Sequence, residues 1–176
     1  MRGSISLGKI FGIPLRLHYT WFIIFVLVTV SLVVYFPGDY PIEWRIISGI
    51  LTSLLFFASI IIHELAHSIL AIRNNIPVKE ITLFVFGGVS QITKEASQPK
   101  TEFLIAIVGP LASLALGGVF YGLHLLVEAH LLLATFTWWL AIINVILAVL
   151  IRHAKRVPLK GNIFRAIVWQ RTHNYH

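Results

Sequence analysis

The chain has 176 residues, 57% of them hydrophobic and 12% charged, with a net charge of +7 and no cysteine. This composition excludes a soluble domain and indicates an integral membrane protein; the missing cysteines exclude disulfides and thiolate metal sites. The basic residues cluster beside apolar runs, where they serve as topology signals and headgroup contacts, so the positive charge does not call for a nucleic-acid partner.

Residues 1–17 interleave Ile5, Leu7 and Ile10 with polar or small residues, and Gly12 and Pro14 break any helix. A short interfacial strand or loop is predicted there. Arg2, Lys9 and Arg16 mark a cytosolic side. His18 to Phe36 is predicted to be the first span: it carries no charge and opens with Tyr19 and Trp21, as an aromatic belt would. It is long enough to remain as a span rather than act as a cleaved signal. His18 reads as an interfacial histidine beside that belt. Residues 37–44 form a short turn that holds Asp39 and Glu43 but no Lys or Arg.

The second predicted span runs from Arg45 to Ile72, about 40 Å at helical rise. It contains His63-Glu64-Leu65-Ala66-His67 between Ile60-Ile61-Ile62 and Ile69-Leu70. On a helix, histidines at i and i+4 share a face and can grip one metal ion, while the Glu between them reaches a water activated by that ion. Glu64 can then take a proton from the water and hand it on. Ionisable side chains at membrane depth are costly and mark functional sites. A proton relay or a polar packing seam would use the same residues.

Residues 73–100 form the longest connection. Within it, two β-prone runs flank Gly87-Gly88, a hairpin signal. The runs are apolar, so the hairpin is predicted to dip toward the helices and to offer a free edge to an extended substrate strand. Thr101 to Val127 is the third span. Gly109, Ser113 and Gly117 line one face and Gly118 and Gly122 make a second pair, a pattern for close helix packing. Leu131 to Ile151 is the fourth span, followed by Arg152, Lys155, Arg156, Lys160, Arg165 and Arg171. Positive charge therefore alternates between loops, which predicts four crossings with both ends in the cytosol and the His-Glu-His motif toward the cytosolic face. The fold class is an all-α membrane protein: a four-span helical bundle with a small β-hairpin between spans two and three. Residues 1–151 form its core, and 152–176 a basic cytosolic tail that lies on the membrane surface.

Four pieces in this order resemble the site-2 proteases, zinc metalloproteases that cut substrates inside the membrane. They are residues 12–18, Gly-Ile-Pro-Leu-Arg-Leu-His; the motif at 63–67; Phe86-Gly87-Gly88-Val89; and Gly109-Pro110-Leu111-Ala112-Ser113. The resemblance covers roughly residues 1–150. It implies Zn2+ as cofactor, His63 and His67 as ligands, Glu64 as catalytic base, and a transmembrane protein segment as substrate. Phe86, Gly87, Gly88 and Val89 are the candidate substrate-binding residues.

The family's third motif, Asn-x-x-Pro-x-x-Pro-x-Asp-Gly, supplies an Asp as third ligand. The nearest stretch here is residues 152–161, where Pro158 and Gly161 match. Lys160 falls at the Asp, Arg152 at the Asn and Lys155 at the first Pro. A protonated lysine has no lone pair for zinc, and its charge repels the ion. Three arrangements stay open: His153 completing a three-His site, a site of two His and waters, or an inactive protein that binds membrane helices or regulates proteolysis. A metal or proton transporter ranks last, because the first span carries only Thr20, Thr29 and Ser31 as polar groups between its aromatics.

Overall fold

The computed structural model describes the backbone of residues 3–84, 87–92 and 99–154, and their side chains apart from Val89, Gln91, Ile92, Pro99 and residues 150–154. The chain opens with two strands, β1 (Ser4–Ile10) and β2 (Ile13–His18). Helices α1 (Thr20–Tyr35) and α2 (Ile42–Arg73) follow, then β3 (Val78–Phe84) and β4 (Gly87–Ile92), then α3 (Pro99–Leu126) and α4 (Leu131–Ala154). Helices α2, α3 and α4 are long and apolar enough to cross a membrane. The protein is thus the expected helical membrane bundle.

The first crossing is built differently from its neighbours. Helix α1 has 16 residues, about 24 Å, which is less than the roughly 30 Å of a bilayer's hydrocarbon core. Strand β2 precedes it and continues its path beside α2. Leu17 packs with Phe57 and Ile60 of α2, and Ile13 and Leu15 pack with Leu65 further along the same helix. Strand and helix together therefore run antiparallel to α2, the helix along its first half and the strand along its second. The helix pair is held closely. A Cβ on Gly49 would lie 2.9 Å from Val33 Cγ2 and 3.2 Å from the Thr29 carbonyl oxygen. Thr29 Oγ1 donates to Ser53 Oγ at 2.9 Å, and the Arg45 guanidinium donates to the Val33 carbonyl at 2.6 Å. That carbonyl belongs to the last turn of α1, where no intrahelical donor remains.

Residues 1–17 were expected to give a strand or a loop, and they give most of a hairpin. Phe11 and Gly12 form its turn with φ of 50° and 80°, and Pro14 lies inside β2 opposite Lys9. The two hairpins join into one sheet of order β1-β2-β3-β4, with β2 and β3 parallel. Leu15 faces Ile81 and Leu17 faces Leu83 across that parallel join, so one face of the sheet is apolar and lies on α2. The second hairpin does dip onto the helices, but Gly87-Gly88 is not its turn. These glycines begin β4, opposite Phe84 and Leu83, and residues 85–86 between the two strands lie outside the described residues. The boundary at residue 151 and the basic tail also lie outside the described residues, except that the α4 backbone continues to Ala154.

Helix α3 meets α4 through Gly117, where a Cβ would lie 3.2 Å from the Ala141 carbonyl oxygen. Gly118 and Gly122 have nothing within 4 Å of that position, so they take no part in this packing. Asn144 of α4 is fully buried and donates to Ser59 Oγ of α2 at 3.2 Å, a polar contact between helices of the kind that membrane bundles use. We expect Gly49→Leu to pry α1 from α2 and to destabilise the bundle by about 1–3 kcal/mol, the usual range for overpacking. Thermal unfolding in detergent measures this, and an unchanged midpoint would show that the close approach is dispensable.

Candidate metal centre

His63, Glu64 and His67 lie in the second half of α2, and all three are buried. Their spacing places one turn of helix between the two imidazoles, and the Nε2 atoms face each other at 3.1 Å. The Nδ1 atoms point away toward α3. His67 Nδ1 bonds to the Ile105 carbonyl oxygen, and His63 Nδ1 lies 2.8 Å from Ser113 Oγ. A carbonyl only accepts, so His67 carries its proton on Nδ1 and presents a lone pair at Nε2 in the neutral ring. Ser113 can accept from His63 in the same way. With His63 also protonated on Nδ1, both Nε2 lone pairs converge on one point, where a cation would lie between them; with the proton on Nε2 the two rings hydrogen-bond each other. Two ligands at 2.0–2.1 Å from a tetrahedral ion stand about 3.3 Å apart, close to the separation found.

Gly109 supplies the space. Its missing Cβ would lie 2.2 Å from His67 Nε2 and 2.7 Å from His63 Nε2. Any side chain there would occupy the point at which both lone pairs converge. Gly109, Ser113 and Gly117 were expected to serve packing alone. Only Gly117 does so; Gly109 opens the site and Ser113 holds a histidine. Their spacing on one face was visible in the sequence, but the identity of the facing helix surface was not.

The sheet roofs the third member of the cluster. Ser90 Oγ of β4 donates to Glu64 Oε2 at 3.0 Å. A Cβ on Gly88 would lie 2.8 Å from Glu64 Cγ and 3.3 Å from Ile60 Cγ2. Gly88 therefore lets β4 descend onto the carboxylate, and this explains a glycine that no turn requires. Ser90 escaped the sequence reading, although it shares the parity of Gly88 along the strand. One ligand atom from each of His63, Glu64 and His67 falls within a set spanning 4.8 Å, a group that could hold a metal ion.

Of the remaining expected site residues, Gly87 is placed in β4. Val89 is placed there by its backbone alone, and Phe86 is outside the described residues. His153 lies on the final turn of α4 with its side chain outside the described set, and Lys160 is outside it altogether. His18 stands apart from the centre, with Nδ1 2.9 Å from Thr20 Oγ1.

A His-Glu-x-x-His helix buried in an apolar bundle, with a strand laid across its carboxylate, defines a membrane-embedded metallopeptidase architecture. Comparison with known proteins agrees. The profile of Peptidase family M50 matches residues 51–131. The chain is 40% identical over 188 residues to sll0528 of Synechocystis sp. (99% of this chain, 46% of that protein). It is 36% identical over 180 residues to Rip3 of Mycobacterium tuberculosis (97% and 45%). Both relatives are named as putative zinc metalloproteases. Among solved structures, the site-2 protease from Methanocaldococcus jannaschii superposes with a TM-score of 0.58 at 27% identity, covering 95% of this chain and 72% of that one. The chain is thus similar to the M50, or site-2 protease, family both in sequence and in fold. It spans about half the length of the curated relatives it matches.

Gly109→Ala should eliminate zinc binding while leaving helicity unchanged, and Ser113→Ala should weaken it about 10- to 100-fold, as loss of an orienting partner does. Elemental analysis and zinc titration of the purified proteins measure both. One retained zinc per chain in Gly109→Ala would place the ion elsewhere.

Proposed function

We propose that this chain is an intramembrane zinc endopeptidase that cleaves transmembrane segments of membrane proteins. The observation that carries the reading is the pair of imidazoles whose Nε2 atoms converge at 3.1 Å with Glu64 beside them. His63 and His67 would hold Zn2+, which when bound supplies Lewis-acid polarisation of a carbonyl and activation of water. Glu64 takes the proton of the attacking water and passes it to the leaving amine, as a general base and then a general acid. Ser90 fixes the rotamer of that carboxylate from above. Strand β4 ends the sheet among the described residues, and its outer edge would receive an unwound stretch of substrate as an added strand. Residues 86–89 then lie along the substrate, with Gly88 keeping the strand close to Glu64. The loop charges support both ends in the cytosol, residues 1–151 as the membrane core and 152–176 as a tail on the lipid surface.

A third protein ligand has to come from somewhere other than the family's Asp, because Lys160 occupies that position. His153 would complete a three-His set, which suits catalytic zinc. The Lys160 substitution also favours a second reading: a member that keeps the fold and captures membrane helices, or regulates another protease, without turnover.

Glu64→Gln separates these readings. Under the first it retains zinc and loses cleavage of a transmembrane peptide by about 10²- to 10⁴-fold, the usual contribution of a general base. Single-turnover cleavage in detergent and zinc stoichiometry are measured together on the parent and the variant. A parent that binds peptide but cuts no faster than Glu64→Gln would establish the second reading. Zinc lost in both His67→Ala and His153→Ala would assign the third ligand; zinc kept in His153→Ala would remove His153 from the site.

A further inference from the structure

The N-terminal hairpin carries an apolar surface that nothing in the bundle covers. Cross-strand partners share a face of the sheet. Ile5 is opposite Leu17, and Ile10 is opposite Ile13. Leu17 and Ile13 are buried on α2, whereas Ile5 and Ile10, one strand further out, are exposed. The face that packs on α2 therefore continues past the edge of the bundle. Leu7, at the register shift between Ser6 and Gly8, is 53% exposed. The opposite face is polar: Ser4, Ser6, Arg16 and His18 lie there, and Arg16 pairs with Glu80 at 3.0 Å.

The turn adds a second observation. Phe11 is 79% exposed and has φ of +50°. Two-residue turns with positive φ at both positions favour Asn-Gly or Gly-Gly, and a bulky aromatic in that region is an outlier. Placing a phenyl ring at a strained tip in water gains nothing for folding. Held strain of this kind points to a use at that spot.

We propose that the β1–β2 hairpin docks on the phospholipid bilayer, with Ile5, Leu7, Ile10 and Phe11 buried at the boundary of headgroups and acyl chains and Lys9 reaching the phosphates. The occupant follows from continuity. Only Tyr19 separates β2 from α1, and the exposed apolar residues of α1 (Phe22, Ile23 and Val26 among them) make the adjoining surface lipid-facing. A sheet that is apolar toward the bundle side and polar on the other fits the membrane interface, as amphipathic helices do. The unpaired outer edge of β1 also fits that level, where water and headgroups can bond it, and not the hydrocarbon core. Through β2 and β3 the docked hairpin sets the tilt of the sheet, and hence the height of Ser90 and Gly88 above Glu64. This inference does not rest on protease activity.

The test uses the natural lack of cysteines. Single variants Leu7→Cys, Phe11→Cys and Ser6→Cys are labelled with an environment-sensitive fluorophore in the full chain, reconstituted in phosphatidylcholine–phosphatidylserine vesicles. Labels at 7 and 11 should emit further to the blue and be quenched severalfold more by nitroxide-bearing lipid than the label at 6, which aqueous iodide should quench instead. Equal iodide quenching at all three positions would overturn the proposal. So would labels at 7 and 11 shielded from both quenchers with energy transfer between chains, which would mean that a second copy covers the face. As a check that does not depend on a label at the tip, Phe11→Asn suits the turn backbone and should keep the fold. It should nevertheless reduce lipid quenching of a label at position 7; undiminished quenching would exclude Phe11 as an anchor.

Discussion

His63 and His67 turn their Nε2 atoms toward each other inside a bundle whose outer surface faces lipid. Each ring is already committed through Nδ1 to α3. The Ile105 carbonyl holds the His67 proton on Nδ1, so its Nε2 is an acceptor; His63 meets it with a proton of its own or, with that proton on Nδ1 toward Ser113, shares a cation with it. A shared cation requires open volume between the rings. The distribution of small residues follows from the same requirement: Gly109 leaves the volume open on one side, and Gly88 lets the sheet close it on the other.

Three polar side chains of α2 also hold the bundle in register. Ser53 meets Thr29 of α1, Ser59 meets Asn144 of α4, and His63 meets Ser113 of α3. Each contact joins α2 to a different helix at a different depth. Hydrogen bonds between membrane helices average only about 0.6 kcal/mol, so close packing at Gly49 and Gly117 contributes the larger share of cohesion. The polar contacts fix rotation about the helix axes, which is what keeps Glu64 under β4 and the histidines toward α3.

Much of this was legible in the residues. His63, Glu64 and His67 announce a shared helical face by spacing alone, and apolar length located α2, α3 and α4. Three features were not. The first span was placed from His18 to Phe36, whereas the helix runs from Thr20 to Tyr35 and His18 still belongs to strand β2; hydropathy does not mark where a strand gives way to a helix. Gly87-Gly88 looked like a turn because a glycine needed for close approach is indistinguishable in sequence from one needed for backbone freedom. Ser113 and Ser90 were hidden because their partners come from elements far along the chain. Asn144 did carry a signal: an amide at the centre of an apolar helix, where polar groups are rarely idle.

The parallel pairing of β2 with β3 has a consequence for how the protein assembles. Each hairpin is local and can form early, but Leu15 and Ile81 meet only across both α1 and α2. Contacts of such sequence separation form late, because the intervening chain must first be ordered. The two helices have to be inserted and paired before the sheet can be completed. A newly made chain therefore has its histidines on α2 before it has a finished roof over Glu64.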